Sequence, residues 1–212
     1  MVLGPIAGPS RRYDPSVRIA VVGWGSLIWH PASLRVSTRW RRDGPRLPVE
    51  FARISKDGRL TLVIRPGSED QTTYWAVSEL TALDEARNNV RARENSGLTD
   101  IHYVRRDDRA EEAVPRDMLM TISTWLAGHQ DVDAVMWTAL PSNWRDKRQS
   151  DFTPEDALEY VRELRSANDQ TRYLRAREYV TKAPPQIDTA VRRALRRQGW
   201  KDAQLPTRLF DE

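Results

Sequence analysis

The chain of 212 residues contains no cysteine. Disulfides, thiolate metal centres and thiol nucleophiles are therefore excluded at the outset. Histidine is nearly as scarce. His30, His102 and His129 stand far apart with no ligand spacing, so neither a metal nor any other cofactor is expected. No apolar run approaches the roughly 18 residues of a membrane-spanning helix, and the first residues lack the apolar stretch of a secretory signal. The expectation is a cytoplasmic protein without a membrane partner. Lysine fills only four of 34 basic positions, and the net charge is only +4. The arginine clusters at Arg11-Arg12, Arg39–Arg42, Arg105-Arg106 and Arg192–Arg197 are interspersed with acids through most of the chain. They also lack the regular aromatic interleaving of a stacking platform, which argues against nucleic acid as a partner.

What is present is a chain long enough for one domain with a substantial core. The apolar fraction is a modest 39%, but eight Trp, six Tyr and three Phe can anchor it. The most informative stretch is Ile19-Ala20-Val21-Val22, followed by Gly23-Trp24-Gly25-Ser26-Leu27-Ile28-Trp29. The β-branched run reads as a buried strand. It breaks at glycines that permit a positive φ or close approach of another group to the main chain. Three familiar loops are excluded. Ile28 stands where a dinucleotide fingerprint needs its third glycine, and again where a nucleophile elbow needs its second. A P-loop would need Gly-Lys-Ser/Thr, which is absent.

Gly23 to Trp29 resembles the Gly-Tyr-Gly-Ser-Leu-Ile-Trp signature of the γ-glutamyl cyclotransferase superfamily, in particular its ChaC-like and AIG2-like branch. Six of seven positions match, with Trp24 in place of tyrosine. The resemblance implies an α+β fold: a small mixed β-barrel with surrounding helices, whose first strand leads into a loop that binds the γ-glutamyl moiety. By that resemblance Gly23, Trp24, Gly25, Ser26, Leu27 and Ile28 bind substrate, largely through backbone N–H groups. It also implies a general base, a glutamate about seventy residues on. Glu94 fits, in Arg93-Glu94-Asn95-Ser96-Gly97.

The residues around Glu94 support a special position. Leu80, Leu83, Ala86 and Val90 recur at spacings of three and four, and Glu94 continues that apolar stripe to the Ser-Gly that should stop the helix. Two readings stand, a helix-end glutamate paired with Arg91 or Arg93, or a catalytic carboxylate. The upstream loop favours catalysis.

Along the chain, residues 1–16 read as a flexible lead-in, 17–140 as the cyclotransferase-like barrel, and 141–212 as a helical extension packed on it. Ala32–Arg35 suggests a helical turn. Val49–Ile54 and Arg59–Ile64 read as a hairpin turning at Lys56-Asp57-Gly58, and Thr72–Val77 as one further strand. Ser55 is either a turn residue or a residue lining the site. Thr99–Arg105 should be a strand, from which Tyr103 either reaches the pocket or leaves its hydroxyl at the surface. Asp107–Glu112 is a charged loop, Pro115–Leu126 a helix ended by Gly128, and Asp133–Leu140 the last core strand. Pro141–Trp144 should be a turn closing over the site. Helices should then run from Pro154 behind an N-cap at Thr153, from Asp169 to Lys182, and from Ile187 to Gln198.

The expected chemistry is conversion of a small γ-glutamyl amine or peptide to 5-oxoproline and a free amine. Glu94 would take the proton of the α-ammonium and return it to the leaving amine. Two other classes compete with this reading. One is a non-catalytic small-ligand-binding member of the same fold. The other is a nucleic-acid or partner-binding module run by the Arg-rich C-terminal helices.

Overall fold

Strand β1 (Ile19–Gly23) is buried at every residue because it lies between two neighbours in one sheet and is covered on both faces. The computed structural model describes residues 17–107, 110, 113–167 and 169–211. In it, β1 pairs antiparallel with β5 (Tyr74–Val77) and parallel with β7 (Ala134–Thr138), which in turn pairs antiparallel with β6 (Ile101–Arg105). A second, antiparallel sheet places β2 (Arg46–Ile54) between β3 (Leu60–Ile64) and β4 (Asp70–Thr72).

The architecture is mixed α+β, but among the described residues the strands form two sheets and not the closed barrel that the sequence suggested. The reason lies at Thr73. Thr72–Val77 is not one strand, because the chain changes sheets there: β4 stays with β2, and β5 crosses to β1. Thr73 is fully buried at the crossing, its hydroxyl donating to the Pro45 carbonyl at 2.7 Å.

Other boundaries move for identifiable reasons. The helical turn expected at Ala32–Arg35 sits earlier, as α1 (Ser26–Trp29), while Ala32 adopts a left-handed φ of 51° in a turn. Helix α2 (Leu83–Glu94) ends at Asn95, also left-handed at φ 51°, two residues before the glycine expected to stop it. Short polar side chains tolerate that conformation, so Asn95 takes the role. Helix α3 spans Arg116–Gly128 and α4 spans Trp144–Arg148. Residues 1–16, and Asp108, Arg109, Glu111 and Glu112 of the charged loop, lie outside the described residues.

The last third of the chain is helical, as α5 (Pro154–Ser166), α6 (Gln170–Thr181) and α7 (Ala190–Arg197). Thr153 caps α5 by accepting from the Asp156 N–H at 3.1 Å. Helix α7 begins three residues later than expected, where the Thr189 side chain caps it. Helix α6 packs on β3 and α7 on β2, with α5 behind both. One contiguous apolar cluster joins β1, Trp75, Trp137 and Trp144 to Val180, Val191 and Leu195. Glu50 of β2, 3% exposed, pins the junction. It accepts from its neighbour Phe51 N–H at 2.7 Å and from Ala190 N–H at 3.0 Å, in the first turn of α7.

Candidate active site

The glycines that end β1 are required by close approach, not by a positive φ. A Cβ at Gly23 would meet the Trp40 ring at 2.8 Å, and one at Gly25 would stand 2.7 Å from the hydroxyl of Tyr179. Gly25 itself is extended, at φ −127°. The chain then makes the single turn α1, closed by Ile28 N–H to the Gly25 carbonyl at 3.0 Å and His30 N–H to Ser26 at 2.9 Å. The Ser26 and Leu27 N–H groups precede the first such bond and have no acceptor within the turn.

This geometry removes one expected substrate contact. Ile28 spends its N–H on the turn and buries its side chain completely, so it does not face the cavity. Gly23, Trp24, Gly25, Ser26 and Leu27 do line it. The cavity, about 570 Å³, opens between this loop, the β2–β3 hairpin, the end of α2 and the end of β7. That volume suits a small-molecule ligand.

Glu94, the last residue of α2, lines the same space with its side chain 18% exposed. Of the two basic partners considered for it, Arg93 is the one it meets. Arg93 Nη1 donates to Glu94 Oε1 at 2.9 Å, whereas Arg91 turns back to Asn88 on its own helix. The second arm of Arg93, Nη2, donates to Ser26 Oγ at 3.1 Å and to the His30 carbonyl. One guanidinium, itself 9% exposed, thus ties the carboxylate to the glycine loop. Burial pushes the Glu94 carboxyl above the usual carboxylate range, outweighing the opposing charge and hydrogen bond of Arg93 and the charge of Arg59.

Ser55 is both of the things considered for it. It lines the cavity, but its hydroxyl is held by the turn, donating to Asp57 Oδ1 at 2.5 Å and accepting the Arg59 N–H at 2.9 Å. Tyr103 does not reach the cavity. It is half-buried elsewhere, with the Arg87 guanidinium 4.7 Å from its ring centre. Side chains alternate along β6, which puts Tyr103 on the face of Ile101, where its ring meets Arg87 of α2 and not the cavity. The Pro141–Trp144 turn does not close over the site either. Ser142 and Asn143 bond the β2 main chain at Ala52 and Ile54, and only the preceding Leu140 lines the cavity.

Several lining residues escaped the sequence. Arg53, Lys56, Asp57 and Arg59 come from the hairpin, Thr138 from the end of β7, and Tyr179 from α6. The signal for Tyr179 was the spacing of Ala176, Tyr179 and Val180, which are the buried residues of α6. Among the described residues no cluster of His, Asp or Glu is arranged to hold a metal ion, and no helix is long and apolar enough to cross a membrane. In α7, Arg192, Arg193 and Arg196 are engaged within the fold. Arg192 and Arg196 pair with Asp202, and Arg193 pairs with Glu69. No family model, curated protein or solved structure matches this chain.

Proposed function

We propose that this chain is a cofactor-independent enzyme of the γ-glutamyl cyclotransferase type, releasing 5-oxoproline and a free amine from a γ-glutamyl amine or peptide. One observation carries the reading. A half-buried glutamate with a raised pKa shares a ligand-sized cavity with the Gly23–Leu27 loop, and Arg93 bonds both.

The substrate brings its own nucleophile, the α-amine, which is mostly ammonium at neutral pH. Glu94 removes that proton, and the amine nitrogen attacks the γ-carbonyl carbon to close a five-membered ring. The bond to the leaving nitrogen then breaks as Glu94 returns that proton to it. The ring nitrogen, which still carries two hydrogens, gives its second proton to Glu94 and so to solvent or the freed amine, leaving the neutral lactam. A carboxyl held above its ordinary value is better matched to this exchange near neutral pH, and such general acid–base catalysis is worth about 10²–10⁴ in rate. N–H groups of the loop, that of Leu27 foremost, are the donors for the glutamyl end. Ring closure is intramolecular with or without the protein, so holding the folded-back geometry contributes by freezing the rotations of the glutamyl chain.

The engagement of Arg192, Arg193 and Arg196 in internal pairs weakens the nucleic-acid reading. The test is 5-oxoproline release from a panel of γ-glutamyl amines, γ-glutamyl amino acids and glutathione. Release by the wild type and its loss in Glu94→Gln, with the variant still folded, is the expected result. Equal rates in the two proteins would remove Glu94 as the base. Silence across the panel, with ligand binding retained, would make the chain a binding protein of the same fold.

A further inference from the structure

We propose that Tyr179 is a catalytic residue of this site, its phenol donating a hydrogen bond to the oxygen of the carbonyl under attack, so that the C-terminal helices complete the active site. The proposal rests on the cyclotransferase reading above. Tyr179 belongs to α6 and is only 9% exposed, yet it lines the same cavity as Glu94. Its ring is fixed on three sides. Trp29 meets it edge-on at 5.2 Å between centres, Phe51 does so at 6.4 Å, and the Arg59 guanidinium stands 5.7 Å from the ring centre. The hydroxyl fits against the loop only because residue 25 has no Cβ, which would otherwise lie 2.7 Å from it.

The order of donors and acceptors indicates where the phenol proton goes. Arg93 Nη2 donates to Ser26 Oγ, leaving the Ser26 hydroxyl hydrogen to be donated onward. The Ser26 backbone N–H and hydroxyl both favour the ionised form of the Tyr179 oxygen, and of the two the N–H can only donate. With its oxygen facing the Ser26 N–H, the phenol has its own O–H to donate to a ligand in the cavity that it lines. Burial, with the nearby charge of Glu94, pushes its pKa up to about 12, so it remains a neutral donor across the working range. Donor and acceptor are thus divided in this site. Glu94 accepts the ammonium proton, and Tyr179 is aimed at the oxygen on which negative charge develops, the arrangement of an oxyanion hole.

The deciding variant is Tyr179→Phe, which keeps the ring and its packing and removes only the hydroxyl. Loss of one such donor lowers kcat by about 10²-fold or more. KM should change little, because the bond strengthens in the transition state. Unchanged thermal melting would separate this loss from damage to the fold. A cycle with Gly25→Ala supplies a second readout. In the wild-type background the added methyl displaces the phenol and lowers kcat. Once the hydroxyl is gone, in Tyr179→Phe, the same methyl should have a much smaller effect. Wild-type kcat in Tyr179→Phe, or equal effects of Gly25→Ala in both backgrounds, would overturn the proposal while leaving the Glu94 reading intact. A wild type inactive on the whole panel would overturn both.

Discussion

Glu94 is placed where its two protonation states have different consequences. Its carboxyl titrates above the ordinary value because burial disfavours the charge more than Arg93 favours it. The folded protein therefore holds this proton to higher pH than the unfolded chain does. The associated stability is fully present below the unfolded glutamate pKa and is lost as pH rises through the folded one. Glutamine carries no such penalty. Melting temperatures measured from pH 4 to 8 should show Glu94→Gln gaining on the wild type as pH rises through that window. A constant difference would mean that the carboxyl is not desolvated as described. In the wild type, the acid limb of kcat/KM should lie above the ordinary glutamate value, for the same reason. The place of Glu94 at the end of an apolar helical stripe was legible because helical spacing is local. Its role as a base came from the resemblance and the upstream loop, and the stop falls at Asn95 and not at Ser96-Gly97. Its partner was only half legible: Arg91 and Arg93 are equally near along the chain, and only the rotation of α2 relative to the loop selects Arg93.

At the scale of elements, the β2–β3 hairpin carries four charged residues to the cavity through a turn that depends on one glycine. Gly58 has φ +78°, and its N–H closes the turn on the Ser55 carbonyl at 3.0 Å. Asp57 stiffens the turn as well. Although burial works against ionisation, the Ser55 hydroxyl and Arg59 hold its carboxyl below the usual range. Gly58→Ala should destabilise the protein by about 1 kcal/mol, or somewhat more, read from the urea midpoint at unchanged slope. It should also raise KM more than it lowers kcat, since it loosens lining residues and not the base. The hairpin was readable from Lys56-Asp57-Gly58, as was β1 from its β-branched run. Thr72–Val77 was not correctly readable as two strands. Continuous β propensity says nothing about which sheet each half joins, and the buried hydrogen bond of Thr73 decides that. Tyr103 failed similarly, since alternation gives two faces but not which one meets the cavity.

Across the whole molecule, the C-terminal helices are held by buried polar anchors as well as by apolar packing. Arg192, 1% exposed, donates to the carbonyls of Ala183, Pro184 and Ile187 and pairs with Asp202. From sequence it was one of a basic run. Only the fold distinguishes it from its exposed neighbours, and the contact of Tyr179 with Gly25 was hidden by the same long separation. Replacing Arg192 with methionine leaves those carbonyls without their donor and should cost about 3–5 kcal/mol in chemical denaturation. Since α6 and α7 dock together with this segment, the variant should lose 5-oxoproline release along with stability. The order of strands has a further consequence, for how the protein comes to be folded. Strand β1 is synthesised before every other described strand, yet its parallel neighbour β7 follows only after five other strands and α3, and Tyr179 later still. Pairings of such long range form slowly. A nascent chain must therefore carry Ile19–Val22 with the edge that β7 later covers left open, even once β5 has been made, which makes this strand the expected point of chaperone capture or aggregation when elongation stalls.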